Sequence, residues 1–234
     1  MKVRIAIVGC GKMGQMVARL APEHGCEVIT ALGSTENANG EGLTPGSLAG
    51  ADVAIEFTTP DAARQNIRRL IALGIPTVIG TTGWHNEIGE IRQLAEANNV
   101  AVVWGPNFSV GLHHFRRTVA EAARRFAREE SYGAWGWEIH HAAKKDSPSG
   151  TLLALAEDMA RSGYVRQVSL SANRAGTVPG THEIGFDSAE DTITIRHTAR
   201  SREGFARGAL RAARWLVGNK GFFEFQEIVD HLAQ

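Results

Sequence analysis

The chain has 234 residues, enough for one large domain or two modest ones. Its 25 Lys and Arg balance 25 Asp and Glu, so the net charge of zero excludes broad nucleic-acid or anionic-membrane binding, which needs excess cation. The apolar fraction of 43% excludes a disordered chain, and two cysteines, Cys10 and Cys26, exclude a disulfide scaffold and suit a reducing, cytoplasmic setting.

Taken in chain order, the first hundred residues alternate short apolar runs with helical patterns. Strands are expected at Val3–Val8, Glu27–Leu32, Asp52–Phe57, Thr77–Ile79 and Val100–Trp104, and helices at Lys12–His24, Asp61–Leu73 and Asn86–Asn98. The stretch Gly40–Gly50 is Gly-, Thr-, Pro- and Ser-rich and reads as a loop, so the second crossover lacks a long helix. This rhythm means an α/β fold with a Rossmann-type, doubly wound parallel sheet. Beyond Asn107 the order changes: a long helix from about Val110 to Arg128, a strand Ala134–His141, a helix from Ser149 to Arg161, then strand runs Val168–Asn173, Thr181–Asp187 and Thr192–Thr198. Strands without intervening helices imply a second, α+β domain with a mixed sheet. The division expected is 1–107 plus 216–234 for the first domain and 108–215 for the second. A last helix, Glu203–Val217, and the tail Gly221–Leu232 are expected to pack back on the first. No signal peptide is expected at the start and no apolar run approaches a spanning helix.

Gly9-Cys10-Gly11-Lys12-Met13-Gly14 is a G-x-G-x-x-G turn between a buried strand and a helix. Glycines so placed permit the tight turn, the approach of a pyrophosphate and close helix–strand packing, and free N–H groups at the helix start face the phosphates. The second strand ends at Leu32-Gly33-Ser34-Thr35 with no acid before Glu36. Small hydroxyl residues at Ser34 and Thr35 leave room for a 2′-phosphate, which leans the expectation towards NADPH, or towards use of both NADPH and NADH. Ligands of open α/β sheets sit outside the carboxyl ends of the strands. That draws in Phe57-Thr58-Thr59-Pro60, where Thr59 also reads as a helix cap, then Gly80-Thr81-Thr82-Gly83 and Gly105-Pro106-Asn107-Phe108.

The chemistry-bearing stretch is Glu138 to Thr151. Strand alternation puts His140 and His141 on opposite faces, and no further ligand is spaced nearby, so no metal site is expected. Ser147 is expected to cap the following helix with Pro148 as its first residue. Gly150 then takes the place where a capping box would put Glu or Gln, leaving the positive helix end unplugged. An anion could sit there on backbone N–H groups and the Ser149 and Thr151 hydroxyls, with Lys144 adding positive charge. Histidine exchanges protons near neutral pH. Together these pieces point to a carboxylate-bearing substrate beside a nicotinamide.

These motifs, with Arg174-Ala175-Gly176 and Gly180-Thr181-His182, resemble the dihydrodipicolinate reductase family over nearly the full length. The resemblance implies a homotetrameric, cytoplasmic reductase of lysine and diaminopimelate biosynthesis. Its substrate would be 4-hydroxy-tetrahydrodipicolinate, a cyclic imine dicarboxylate reduced to tetrahydrodipicolinate with loss of water. It further implies His140 as proton donor and acceptor, Lys144 as second acid, His141 as a substrate contact, Gly150 and Thr151 at a substrate carboxylate, and residues 80–82 and 105–108 on the nicotinamide side. The competing readings are another two-domain NAD(P)-dependent dehydrogenase, of aspartate or sugar type, which does not need the 140–151 cluster, and a non-catalytic dinucleotide-sensing regulator, which would tolerate loss of His140 and Lys144.

Overall fold

The computed structural model describes residues 2–233, in two compact units. The first comprises Met1–Ser109 with Glu203–Gln234 and the second Val110–Arg202.

The first unit is a six-stranded sheet of β1 (Val3–Val8), β2 (Cys26–Leu32), β3 (Val53–Glu56), β4 (Thr77–Ile79), β5 (Val102–Trp104) and β10 (Phe222–Glu224), in the order β10-β5-β4-β3-β1-β2. All its pairs are parallel. β1 and β3 bury their apolar residues on both faces, as a parallel sheet flanked by helices requires. The crossovers carry α1 (Lys12–Leu20), α2 (Pro60–Ala72) and α3 (Ile88–Ala97). Between β2 and β3 there is only a short 3₁₀ turn at Ala38–Gly40 and no long helix, as the loop composition implied. Thr59 caps α2, its hydroxyl accepting from the Ala62 N–H, and Pro60 opens the helix.

The strands end in one row: Val8 pairs with Leu32 and Glu56, Glu56 with Ile79, Ile79 with Trp104 and Trp104 with Glu224. The residues just beyond that row, Gly9, Gly33, Phe57, Gly80 and Gly105, therefore meet along one edge of the sheet. Register alone gathers five separate turns.

The chain returns to the first unit at Glu203, not at 216. α6 (Glu203–Leu216) buries Ala206, Ala209, Leu210, Ala212 and Ala213, and packs on α1 and the sheet. A boundary inside this helix would strip that apolar face of its cover. The strand after it, β10, is three residues long, too short to show an alternating pattern.

The second unit holds β6 (Gly133–His140), β7 (Val168–Arg174), β8 (Thr181–Asp187) and β9 (Thr192–Thr198) in the order β7-β6-β8-β9. β6 pairs parallel with β7 and antiparallel with β8, which pairs antiparallel with β9, so the sheet is mixed. α4 (Val110–Phe126) and α5 (Gly150–Arg161) pack together on one face over a core of Ala134, Leu152, Leu155, Met159, Ile184 and Phe186. On that face β6 runs from apolar to polar: Ala134 and Gly136 sit in the core, and Glu138 and His140 continue the same face beyond it.

Candidate functional site

The first unit carries the dinucleotide cradle. Gly9 has φ of +101°, and a Cβ there would come within 2.0 Å of the Phe57 carbonyl oxygen. At Gly14 a Cβ would fall 1.8 Å from the Gly9 carbonyl oxygen, so this glycine seats α1 on its strand. Gly11 differs: a Cβ there would meet nothing within 4 Å. The first and third glycines are required by the protein itself, and the second leaves space for a ligand. Gly11 is also the N-cap of α1, makes no side-chain cap and precedes a first turn without an acid, so the helix end fits a pyrophosphate.

A cavity of about 640 Å³ lies against Gly9, Cys10, Gly11, Gly33, Ser34 and Phe57, and extends past Glu36, Asn37 and Asn66. A second, of about 410 Å³, is lined by Gly11, Lys12, Met13, Gly80, Thr81 and Thr82. Both share Gly11, Phe57 and Thr58, so they form one groove along the row of strand ends. Gly80 has a structural reason as well: the Phe57 ring lies where its Cβ would be. Gly105, Pro106, Asn107 and Phe108 line neither cavity. Phe108 is buried, its ring 4.6 Å from that of Phe225 and 6.2 Å from that of Phe57, and its carbonyl faces Gly208 of α6.

One carboxylate lines this groove, Glu36, and another, Glu56, is buried at the end of β3. Glu36 Oε2 accepts from the Gly33 N–H at 3.0 Å and is the one charged side chain lining the larger cavity. A carboxylate is thus brought back to the strand end from the turn. Glu56, fully buried at the end of β3, accepts from the Thr58 hydroxyl and, at 3.4 Å, from Asn66 Nδ2. Burial pushes its carboxyl up, against hydrogen bonds that favour the charged form. Thr58 N–H donates to Thr81 Oγ1 at 2.7 Å, which ties the turns after β3 and β4 together.

The second unit carries an ionisable cluster at the end of β6. Glu138 is completely buried. It accepts from Ser149 N–H and Arg174 Nη2, each at 2.8 Å, and from the Ser149 hydroxyl. Its Oε2 lies 3.3 Å from His182 Nε2 and 3.6 Å from His140 Nδ1. The register explains the gathering. Glu138 and His140 share a face two residues apart on β6, His182 is the partner of Glu138 on β8, and Arg174 pairs with His140 from β7. Burial would raise the Glu138 carboxyl, but the Ser149 and Arg174 donors outweigh it and hold it below the usual carboxylate range. Burial also lowers His140, and pushes His182 down to about 4.

His141 follows, half-buried, and Lys144 Nζ pairs with Asp146 at 2.8 Å. The helix starts later than expected. Ser149 rather than Ser147 is the N-cap of α5, its hydroxyl accepting from the Leu152 N–H at 3.2 Å. Ser147-Pro148-Ser149 offers two capping serines, and the pull of buried Glu138 on Ser149 decides between them. The Ser149 side chain is therefore turned inward and only Gly150 and Thr151 stand open at the tip. Nor is the tip bare: the Asp146 carboxylate takes the Gly150 N–H and the Lys144 ammonium. Glu138, His140 and His182 also bring three metal-ligand side chains within 4.8 Å, a grouping that spacing along one strand could not reveal. The same carboxylate already pairs with the Arg174 guanidinium, so the donor set does not suit a cation.

Comparison with known proteins settles the lineage. The N-terminal model of dihydrodipicolinate reductase matches residues 3–108 and the C-terminal model residues 111–229. The chain belongs to the dihydrodipicolinate reductase family. It is 32% identical over 241 residues to the 4-hydroxy-tetrahydrodipicolinate reductase of Christiangramia forsetii, spanning 98% of this chain and 99% of that one. It is 33% identical to the protein of that name from Archaeoglobus fulgidus, over 97% and 100% of the two chains. Among solved structures, a dipicolinate-bound dihydrodipicolinate reductase from Paenisporosarcina sp. TG-14 shares the fold with a TM-score of 0.81 at 22% identity, over 97% of this chain and 100% of that one. A scyllo-inositol dehydrogenase from Lactobacillus casei shares it more loosely, with a TM-score of 0.53 at 13% identity over 93% and 88%. The sugar-dehydrogenase alternative therefore has the fold in common with this reductase family, while both halves of the chain match the reductase models.

Proposed function

We propose that this member of the family is an NAD(P)H-dependent reductase of 4-hydroxy-tetrahydrodipicolinate, acting in lysine and diaminopimelate biosynthesis. The observation that carries the reading is the cluster on the second unit: a buried imidazole, an ammonium and the start of α5, held by the exposed Asp146 carboxylate, within twelve residues, in a chain whose other unit bears a dinucleotide cradle.

A dinucleotide held in this groove would supply the hydride for the conjugated C=C–C=N system that remains once the 4-hydroxyl has left as water. Gly11 and the start of α1 hold its pyrophosphate. Gly9, Cys10, Lys12, Met13 and Gly14 belong to that turn, and Gly33, Ser34, Phe57, Gly80, Thr81 and Thr82 bound the groove on either side. The larger cavity offers one carboxylate and no cation, which supports NADH as the better of the two cofactors.

On the second unit, Gly150 and Thr151 receive a substrate carboxylate at the start of α5, where backbone N–H groups and the helix dipole favour an anion. That carboxylate competes with Asp146 for the same groups and frees Lys144 to face it. His141 contributes a second polar contact. His140 gives a proton to the electron-rich ring left by hydride addition, with Lys144 stabilising the charge. The relative whose structure holds dipicolinate supports an aromatic or cyclic dicarboxylate as the ligand class. Copies assemble as a homotetramer through the sheet of the second unit, whose uncovered face carries Trp135, Trp137 and Ile139. No helix among the described residues is long and apolar enough to cross a membrane, and the free thiols Cys10 and Cys26 suit the cytoplasm.

Loss of nicotinamide absorbance with freshly generated 4-hydroxy-tetrahydrodipicolinate tests the reading. The wild type is expected to turn over. His140→Ala is expected to lose about 10²–10⁴ in kcat, the range of a positioned acid, with NADH affinity unchanged. Lys144→Ala is expected to lower kcat and raise the substrate KM. A His140→Ala enzyme as fast as wild type removes the imidazole from the reaction.

A further inference from the structure

Glu138 touches no ligand-facing surface, yet it is the most heavily bonded side chain of the second unit's polar cluster. Three donors from Ser149 and Arg174 fix its carboxylate and keep it charged. His182 closes it off from the β8 side at 3.3 Å. The remaining neighbour is His140, whose buried Nδ1 makes no hydrogen bond and lies 3.6 Å from Oε2, within ion-pair range and just beyond hydrogen-bond length. A neutral imidazole carries one proton, and a carboxylate beside Nδ1 draws it to that nitrogen. The lone pair, and the second proton when the ring is charged, then belong to Nε2. Room for this ring pose exists because residue 180 is glycine: a Cβ there would come within 2.9 Å of His140 Nε2.

We propose that Glu138, anchored by Arg174 and Ser149, is a positioning residue that fixes His140 with Nδ1–H directed at its carboxylate and Nε2 as the proton-transferring atom. The proposal rests on the reading of His140 as the acid. It also links two parts of the site. The carboxylate that orients the imidazole is the one that draws Ser149 inward, so the α5 tip and the proton donor are set by a single buried group.

The groups facing His140 make the test directional. Burial lowers its proton affinity most. Lys144 from the loop and Arg174 from β7 lower it further, Glu138 on its own strand and Asp146 raise it, and His182 stands edge-on at 5.0 Å. Because protonated His140 is the donor, kcat falls as pH rises through its pKa. Glu138→Gln removes a negative neighbour and is expected to shift that alkaline limb to lower pH, with kcat at neutral pH down about 10²-fold. Arg174→Gln removes a positive neighbour and is expected to shift the limb to higher pH. Opposite displacements are the signature, since general destabilisation would move neither limb in a set direction.

Full pH profiles of kcat for the intact enzyme and both variants, with ¹⁵N-histidine spectra of each, decide it. The wild-type spectrum is expected to show one neutral imidazole in the Nδ1–H form, lost in Glu138→Gln and kept in Arg174→Gln. Limbs that stay put, or move the same way, overturn the proposal. So does an unchanged tautomer in Glu138→Gln. Should Glu138→Gln not fold, the upward shift in Arg174→Gln and the wild-type tautomer still decide. His140→Gln run in parallel separates the two levels. If it retains turnover, the proton-donor reading has failed. If it is inactive while Glu138→Gln matches wild type in profile and tautomer, the Glu138 role alone has failed.

Discussion

Glu36 reaches the end of the second strand from an unexpected position. In a dinucleotide-binding sheet the acid that holds the ribose 2′-hydroxyl ordinarily stands at the tip of the second strand. Here the tip residue is Gly33, and its N–H is held at 3.0 Å by a carboxylate three residues on. A 2′-phosphate entering the cavity would meet that charge with no Lys or Arg on the lining. Two unit charges about 5 Å apart repel by about 3 kcal/mol at an effective dielectric of about 20, and salt reduces this. NADH is therefore expected to exceed NADPH by about 10–10²-fold in kcat/KM. Glu36→Gln, which keeps the size and removes the charge, is expected to recover about 10-fold for NADPH, about 1.4 kcal/mol, with little change for NADH. Steady-state kinetics with each cofactor is the measurement, and equal use of both by the wild type would overturn the argument. The sequence carried the residue but not its place. Only the backbone of the turn at 33–36 brings the carboxylate back to the strand end.

At the scale of elements, the start of α5 joins a helix cap to a buried ion. Ser149 accepts from the Leu152 N–H as an ordinary N-cap, worth about 1 kcal/mol. It also gives its N–H and its hydroxyl to Glu138. Ser149→Ala removes the cap and deprives a buried carboxylate of one donor, a further 1–2 kcal/mol or so. The expected loss is about 2–3 kcal/mol in urea unfolding, with kcat lowered because the tip and the His140 strand both depend on this contact. A loss of about 1 kcal/mol or less, no more than the cap alone, would mean that the Glu138 link contributes nothing. This junction also shows what was legible. The strands Val3–Val8, Thr77–Ile79, Thr181–Asp187 and Thr192–Thr198 follow from apolar runs bounded by turns, because local pattern suffices for them. The cap at Ser149 was not legible. Two serines flank Pro148 and local chemistry suits either, so a contact eleven residues back along the chain decides. The same holds for His182 and Arg174: their motifs stand in the sequence, and their meeting at Glu138 needs the register of three strands.

Across the whole molecule the two units solve burial differently. The first has helices in every crossover but one, and its central strands are covered on both faces. In the second, both helices lie on one face of the four-stranded sheet. The other face of β6 presents Trp135, Trp137 and Ile139, each only partly covered, beside Ser169, Ser171 and Asn173 of β7. Trp137 Nε1 donates to Asn173 Oδ1 at 2.7 Å and the Arg196 guanidinium lies 5.8 Å from its ring centroid, so the indole is held flat against the sheet. Large apolar side chains at the centre of an open sheet, rimmed by polar ones, are the anatomy of an interface core and rim. Such a patch on a neutral chain favours self-association, since no net charge keeps copies apart. Trp137→Glu places a carboxylate at the centre of that face and leaves the inner core of Ala134, Ile184 and Phe186 untouched. If the proposed homotetramer forms through this face, the variant is expected to sediment as a smaller species than the wild type, while circular dichroism stays that of the wild type. Because the groove proposed to hold the dinucleotide is lined by residues of the first unit, NADH affinity per chain is expected to be unchanged by the dissociation. A variant that stays tetrameric would place the contact between copies on some other surface.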